Sequence, residues 1–262
     1  MGLTRQSCSN NACREIVADK KLKDGFVIAL AGNPNTGKST VFNALTGLNQ
    51  HTGNWPGKTV LKAEGSFSHR DKRFTLVDLP GTYSLLANSV DEQVARDFIC
   101  FARPDVTIVV TDSTCLERNL NLVLQVMEIT PRVVVCANLI DEAERKKIRV
   151  DIDKLAKELG VPVIATAARE GRGLSKLKDI VYELANGSLK TSPKMVYYDS
   201  EVEKSIEKIE NQLRPLLPKW LNSRWVALRL LEGDQSIIDS IIKYSNELPE
   251  VTVGRDVNIC PQ

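Results

Sequence analysis

The sequence predicts an α/β fold, in which a mainly parallel sheet with helices on both faces is followed by a small all-helical subdomain. Short apolar runs alternate with segments of helical periodicity, as in a sheet built from βα units. This alternation stops after Gly187, where a polar segment containing proline leads into purely helical periodicity. We therefore expect four parts in the 262 residues: a flexible N-terminal extension (1–24), an α/β domain (25–187), a linker (188–195) and a helical subdomain (196–262).

The elements of the α/β domain follow from the apolar pattern. The predicted strands are unbroken or alternating apolar runs, near 26–31, 60–67, 73–77, 106–112, 132–137 and 161–165. The predicted helices have apolar residues at helical spacing, near 38–47, 90–101, 118–128, 150–159 and 174–186. Because parallel strands end at one edge of the sheet, we expect polar motifs that follow these strands to meet there and bind a ligand.

The predicted helical subdomain begins with one helix that ends before two prolines. Its apolar residues, Val202, Ile206, Ile209 and Leu213, recur at helical spacing, and Pro215 and Pro218 follow. Two further helices are expected over 220–234 and 235–245, with a hinge at Gly233. Since this segment offers no obvious ligand-binding groups, we interpret it as a bundle that packs on itself or on the α/β domain.

Composition excludes several classes of protein. The net charge is +2 and basic residues are interspersed with acidic ones, so we expect no nucleic acid partner. There is no run of 18 apolar residues and no signal peptide, which predicts a chain that does not itself cross a membrane and lies in a reducing compartment. Of the six cysteines, Cys100, Cys115 and Cys136 are expected to be buried, while Cys8 and Cys13 form a close pair without a nearby histidine.

The first motif is a phosphate-binding loop. Residues 32–39 read GNPNTGKS and fit the template G-x-x-x-x-G-K-[ST] between a predicted strand and a predicted helix. Backbone N–H groups and the helix N-terminus would hold phosphate, Lys38 would reach the β- and γ-phosphates, and Ser39 would bind Mg²⁺. The predicted nucleotide-binding residues are Gly32, Asn33, Pro34, Asn35, Thr36, Gly37, Lys38, Ser39 and Thr40.

Two later motifs indicate which nucleotide is bound. NLID places Asn138 and Asp141 after an apolar strand, and the Asp141 carboxylate can accept hydrogen bonds from N1–H and N2–H₂ of guanine. Adenine lacks this pair of donors, so the carboxylate would disfavour ATP. After the next strand, Ala167 and Ala168 lie where GTPases have a loop that touches the base, although Ala167 replaces the usual Ser. The sequence therefore predicts a P-loop GTPase sheet that binds GTP and GDP.

Three residues between these motifs are candidates for the hydrolysis machinery. Asp78 ends a predicted strand in DLPG and could hold Mg²⁺, while Gly81 could offer its N–H to the γ-phosphate. Thr59 is the best candidate in the segment that forms the first switch of small GTPases, where a Thr meets Mg²⁺ and the γ-phosphate, and Thr52 is the alternative. We expect Lys38, Thr59 and Gly81 to act in hydrolysis. Thr82 stands where many GTPases have a Gln that orients water, so turnover should be slow.

Together the motifs resemble one family. GNPNTGKST, NQHTGNWPGKTV, DLPGTYSL, LERNLNLVLQ and NLIDEAE resemble the cytosolic GTPase domain of the FeoB ferrous-iron transporters, and WVALRLLEGD resembles that family's helical regulatory subdomain. The resemblance covers roughly 26–245 and departs from the family in the long N-terminal extension and at Ala167. It implies a GTPase switch on the cytoplasmic face of the inner membrane, joined to a transmembrane portion, with a homo-oligomer also conceivable.

The resemblance also implies a potassium site. In GTPases that hydrolyse GTP with potassium, an Asn at the position of Asn35 helps to ligate K⁺ against the phosphates, and the ion replaces an arginine finger. The alternative is that Asn35 only shapes a turn. A different function also remains open at this point, since soluble ribosome- or tRNA-associated GTPases share the nucleotide motifs. That class usually carries a basic appendage, whereas acids match bases in the helix around 200–214.

Overall fold

A computed structural model describes residues 25–48, 50–55 and 58–245, which fall into two compact units with a boundary between Tyr197 and Tyr198. The strands of the first unit are β1 (Gly25–Gly32), β2 (Gln50–Asn54), β3 (Leu61–His69), β4 (Lys72–Asp78), β5 (Val106–Asp112), β6 (Val133–Asn138) and β7 (Val163–Ala165). Within the described residues they form one seven-stranded sheet in the order β2-β3-β4-β1-β5-β6-β7.

The sheet is mainly parallel, as the sequence predicted. Strands β4, β1, β5, β6 and β7 run parallel to one another, whereas β3 is antiparallel to both β4 and β2. The parallel strands therefore present their carboxyl ends at one edge. Gly32, Asp78 and Asn138 are the last residues of β1, β4 and β6, so three of the sequence motifs begin at this edge.

Strand β2 was not predicted. Its sequence, QHTGN, has no apolar alternation, and residues 51–54 are exposed. It forms because β3 offers a free edge, to which it pairs from Gln50 opposite Gly65 to Asn54 opposite Leu61. An edge strand of this kind is specified by its partner rather than by its own side chains.

The helices of the first unit cover both faces of the sheet. They are α1 (Lys38–Thr46), α2 (Val90–Asp97), α3 (Leu116–Ile129), α4 (Ile140–Arg145), α5 (Ile152–Leu159) and α6 (Leu174–Ala185). A π-helical turn, Phe98–Ala102, continues α2, where the sequence predicted an uninterrupted helix. The short helix α4 was not predicted, because six residues after NLID are too few to show a helical period.

Two apolar cores fill the space between the sheet and its helices. On one face, Leu122 and Val126 of α3 and Leu159 of α5 pack with Val27 and Val77 of the sheet. The other core contains Val41, Phe42 and Leu45 of α1 and Leu177, Val181 and Leu184 of α6, with alternate residues of the same strands. The strands are buried on both faces, which explains why they read as continuous apolar runs.

The second unit is helical, with α7 (Ser200–Leu213), α8 (Ser223–Leu231) and α9 (Gln235–Ser245). The predicted apolar face of α7 packs on α8, where Ile206 lies against Ala227 and Leu228, flanked by Val202, Ile209 and Leu213. An ion pair joins the same helices, because Arg224 donates two hydrogen bonds of 2.8 Å to Glu203. No helix in the described part of the chain is long and apolar enough to span a membrane.

The predictions for the N-terminal extension, the cysteines and the linker have different outcomes. The extension 1–24, with Cys8 and Cys13, lies outside the described residues. The prediction that Cys115 is buried was wrong, since this residue at the start of α3 is exposed, whereas Cys100 and Cys136 are buried. Residues 188–195 belong to the first unit, where the Ser192 N–H donates to the Gly160 carbonyl at 3.1 Å.

Candidate nucleotide-binding site

The phosphate loop joins β1 to α1 and is held by its own backbone and by a neighbouring strand. The Thr36 hydroxyl donates to the Asn33 carbonyl at 2.9 Å, and Gly37 adopts a left-handed conformation with φ of 80°. A Cβ on Gly32 would lie 2.7 Å from the Val110 carbonyl oxygen of β5, so only glycine fits there. The result is a tight loop before the N-terminus of α1, which is an anion-binding geometry.

The two asparagines of the loop face opposite environments. Asn33 is buried, with 2% of its surface exposed, and neither its carboxamide nitrogen nor its oxygen has a hydrogen-bond partner. Asn35 is exposed and has φ of 67°, a left-handed conformation that Asn tolerates better than most residues. The structure therefore places Asn35 on the solvent side of the loop, where a ligand would approach, and Asn33 on the interior side.

Lys38 and Asp78 meet at the centre of the site. The Lys38 ammonium donates a short hydrogen bond to the Asp78 carboxylate, and both side chains are largely buried. Burial raises the pKa of the Asp78 carboxyl above its ordinary value, and the Lys38 charge opposes this rise. In this arrangement the Lys38 ammonium neutralises the carboxylate that the sequence assigned to Mg²⁺.

Asn138 connects three loops of the site rather than pointing to solvent. It is 1% exposed, and its Nδ2 donates to the Thr36 carbonyl at 3.0 Å. Its Oδ1 accepts hydrogen bonds from the Thr166 hydroxyl and the Ala168 N–H, both at 3.1 Å. A Cβ on Gly37 would collide with the Asn138 amide nitrogen. The side chain thus fixes the phosphate loop against the loop that follows β7.

Asp141 is the candidate base-reading group, and it lies in the first turn of α4. In the structure, Arg145 of the same helix donates to the Asp141 carboxylate at 3.3 Å and to Glu142 at 2.5 Å. Arg145 is mostly exposed, so this contact is easily exchanged for another donor. A base with two N–H donors could take that place.

The loop after β7 is closed by backbone and charge contacts. Ala167 and Arg172 exchange two backbone hydrogen bonds of 3.1 and 3.2 Å around a 3₁₀ turn at Ala168–Glu170. Arg172 also pairs with Glu144 of α4 through two hydrogen bonds. Ala167 and Ala168 are both buried. The predicted base-contacting residues are therefore next to Asn138, and the Ser that Ala167 replaces is not needed to close the loop.

The first switch segment is anchored by a tryptophan that sequence reasoning did not single out as an anchor. Trp55 is 1% exposed and packs edge-on against Phe98 of the π-helical turn, with ring centres 5.4 Å apart. The backbone N–H of Trp55 donates to the Val60 carbonyl at 2.8 Å across the segment that contains Thr59. Thr59 itself is exposed, and β3, which follows it, carries Ala63 opposite Asp78. Thr59 therefore lies beyond the ligand-binding edge, and its contact with Mg²⁺ stays a prediction.

The DLPG turn lies against the phosphate loop. A Cβ on Gly81 would be 3.6 Å from Pro34, and the Thr82 N–H donates to the Gly32 carbonyl at 3.3 Å. Thr82 is buried, with 5% of its surface exposed, so its side chain does not face the solvent side of the loop. Gly81 thus lies beside the phosphate loop, its contact with the γ-phosphate stays a prediction, and Thr82 supports the turn from inside.

The sheet order and these loops define the class of protein, which is a P-loop GTPase fold. A family model described as ferrous iron transport protein B matches residues 26–181, and a model for the FeoB cytosolic helical domain matches residues 198–254. The chain therefore belongs to the FeoB family, as the resemblance in its motifs indicated.

Relatives with curated names support this membership. The Fe(2+) transporter FeoB of Escherichia coli K12 is 42% identical over 214 residues, which is 80% of this chain and 27% of the relative. An Fe(2+) transport protein A/FeoB fusion protein of Porphyromonas gingivalis is 41% identical over 249 residues, 89% of this chain and 29% of that protein. The chain thus spans less than a third of the length of these relatives.

Solved structures of cytosolic FeoB domains share the fold. The T. maritima FeoB cytosolic domain in a GDP form has a TM-score of 0.78 at 39% identity, covering 87% of this chain and 89% of that chain. The same domain in its GMPPNP form has a TM-score of 0.77 at 40% identity, with coverage of 87% and 88%. The two structures therefore represent a GDP form and a GMPPNP form of one cytosolic FeoB domain.

Proposed function

We propose that this chain is the GTP-binding and GTP-hydrolysing switch domain of a ferrous-iron transport protein. The observation that carries the proposal is the convergence of Lys38, Asp78 and Asn138 at one edge of the sheet, directly around the phosphate loop. Asp141 follows Asn138 by three residues, which supports guanine as the base. The GDP and GMPPNP forms of the T. maritima domain support the same nucleotide class.

The donor set around the loop fits Mg²⁺. Asp78 provides a carboxylate and Ser39 a hydroxyl at the exposed start of α1, and both are hard oxygen ligands of the kind this ion prefers. Thr59 would add a second hydroxyl from the first switch. When bound, the ion would neutralise charge on the β- and γ-phosphates. Lys38 would then leave Asp78 for phosphate, while Gly81 would offer its N–H to the γ-phosphate.

Asn35 fits a role in potassium binding. It is exposed on the phosphate loop, and its backbone is left-handed, with φ of 67°. A carboxamide oxygen at this position could join phosphate oxygens around a K⁺ ion. The ion would supply the positive charge that an arginine finger supplies in other GTPases. Turnover without the ion would be slow.

The biological setting follows from the family. Since the chain covers less than a third of its curated relatives, we infer that it acts with a transmembrane portion of the same protein, at the cytoplasmic face of the membrane. In that setting the nucleotide state would gate or power iron entry. We also propose a homo-oligomer of this domain, which a measurement of the chain's mass in solution would test.

The experiment that tests this proposal is a nucleotide competition combined with a hydrolysis assay. The chain should bind GTP and GDP but not ATP, and single-turnover hydrolysis should be several-fold faster in K⁺ than in Na⁺. Equal affinity for ATP and GTP would contradict the GTPase assignment. Equal hydrolysis rates in K⁺ and Na⁺ would contradict only the potassium site.

A further inference from the structure

Helix α3 carries the sequence LERNLNLVLQ, which the nucleotide site leaves without a role, yet one face of this helix holds the segment that follows DLPG. We call residues 79–89, between β4 and α2, the switch II segment. Gln125 of α3 accepts a hydrogen bond of 2.6 Å from the Leu85 N–H, and the Arg118 guanidinium lies 4.5 Å from the centre of the Tyr83 ring. Arg118 and Gln125 are seven residues apart, so they share one face of the helix.

An apolar contact reinforces this attachment. Leu85 is 2% exposed and belongs to the same core as Leu122 and Val123, which lie between Arg118 and Gln125 along α3. Three kinds of contact therefore hold residues 83–85 to the helix. The Leu85 N–H is partly buried, so it needs an acceptor, and Gln125 supplies one from the side chain.

The two ends of the switch II segment are held by hydrogen bonds of different number and length. Towards α2, Glu92 accepts hydrogen bonds from the Ser84 hydroxyl and the Asn88 N–H, both at 2.9 Å. Towards the nucleotide site, the Thr82 N–H makes a longer hydrogen bond of 3.3 Å to the Gly32 carbonyl. The part of the segment between β4 and residue 83 is therefore short and lies between two fixed points, the end of the strand and α3.

We propose that Gln125 is a positioning residue for GTP hydrolysis, which acts by fixing the end of this short span and thereby the position of the Gly81 N–H. This inference rests on the proposed GTPase function. Gly81 would contact the γ-phosphate, which GDP lacks, so the position set by Gln125 matters for the triphosphate and its hydrolysis. Gln125 would act through its hydrogen bond with the backbone N–H of Leu85.

A pair of substitutions separates this role from a general structural one. Gln125→Met keeps the length of the side chain but leaves the Leu85 N–H without an acceptor. Gln125→Glu keeps an acceptor oxygen in the same place. We expect Gln125→Met to slow single-turnover GTP hydrolysis by about 2- to 10-fold, the effect of one hydrogen bond, and Gln125→Glu to restore most of the rate. GDP affinity should be unchanged in both variants, as in the exposed control Asn121→Met.

A second measurement does not depend on hydrolysis. Amide hydrogen exchange at Leu85 should be slow in the original chain and in Gln125→Glu, and clearly faster in Gln125→Met. If the chain failed to hydrolyse GTP, the proposed function would fall while this exchange pattern would still establish the anchor. Equal exchange at Leu85 in all variants, equal hydrolysis rates, or a loss of GDP affinity that matches the loss of rate would each overturn the positioning role.

Discussion

At the scale of single residues, the phosphate loop shows how two identical side chains separate into different roles. The sequence predicted that Asn33 and Asn35 both bind nucleotide, and only the family resemblance distinguished Asn35, as a ligand of K⁺. The structure buries Asn33 and exposes Asn35 with a positive φ. The difference comes from the path of the backbone after β1, which a motif does not encode. Of the two, Asn35 is the one that a ligand could reach.

The potassium site is tested best with two substitutions of Asn35. Asn35→Ala removes the carboxamide but also puts a Cβ-bearing residue without local hydrogen bonding at φ of 67°, which costs about 1 kcal/mol. Asn35→Gly removes the carboxamide without that strain. We expect Asn35→Gly to abolish the preference for K⁺ over Na⁺ in single-turnover hydrolysis while GDP affinity is retained. If Asn35→Gly kept the preference and only Asn35→Ala lost it, the side chain would be shaping the loop rather than binding K⁺.

At the scale of elements, the apolar strands and the longer helices were predicted well, whereas β2, the short helix α4 and the pairings between distant segments were not. The apolar strands β1, β4, β5 and β6 are buried on both faces, so their own composition specifies them. Strand β2 depends on pairing with β3, and the attachment of Leu85 to Gln125 joins residues 40 positions apart. Such pairings are decided by tertiary structure, and a local pattern contains no record of them.

Asn138 is the clearest case in which a predicted ligand-binding residue proves to join elements. Its carboxamide bonds to Thr36, Thr166 and Ala168. Asn138→Ala would leave a buried carbonyl and a buried N–H without partners, and we expect it to lower the free energy of unfolding by about 2–4 kcal/mol. GDP affinity should fall as well, because the phosphate loop loses its support.

Urea unfolding of Asn138→Ala tests this prediction, with Asn121→Ala as the control. Asn121 is exposed on α3, so its substitution should change the free energy of unfolding by no more than about 0.5 kcal/mol. If the two variants were equally stable, the three hydrogen bonds of Asn138 would not contribute to the stability of the α/β unit.

At the scale of the whole molecule, the two units have separate stabilising contacts, and one contact of the helical unit depends on pH. In the helical unit, the Arg224 guanidinium and the Tyr198 N–H lower the pKa of Glu203 from 4.5 to about 2. Because the folded state favours the ionised carboxylate, this contact stabilises the unit fully above pH 4.5 and is lost as the pH falls towards about 2.

The acid dependence is isolated by comparing Glu203→Gln with the original chain. We expect Glu203→Gln to unfold at lower urea concentration at neutral pH and to lose this difference as the pH falls below 4.5 towards about 2. Glu207→Gln, on an exposed position of the same helix, provides the control. A difference between Glu203→Gln and the original chain that stayed constant over this range would show that packing, and not the charge of Glu203, accounts for it.

The central claim is that this α/β unit reads guanine with the carboxylate of Asp141, and nucleotide selectivity of Asp141→Asn tests it most directly. Guanine offers N1–H and N2–H₂ donors to a carboxylate, whereas xanthine offers one donor and one carbonyl oxygen, which match the acceptor and donor of an asparagine amide. The original chain should prefer GTP to XTP and ATP by about 100-fold or more, and Asp141→Asn should prefer XTP. Unchanged preference for GTP in Asp141→Asn, or equal binding of ATP and GTP by the original chain, would contradict the account.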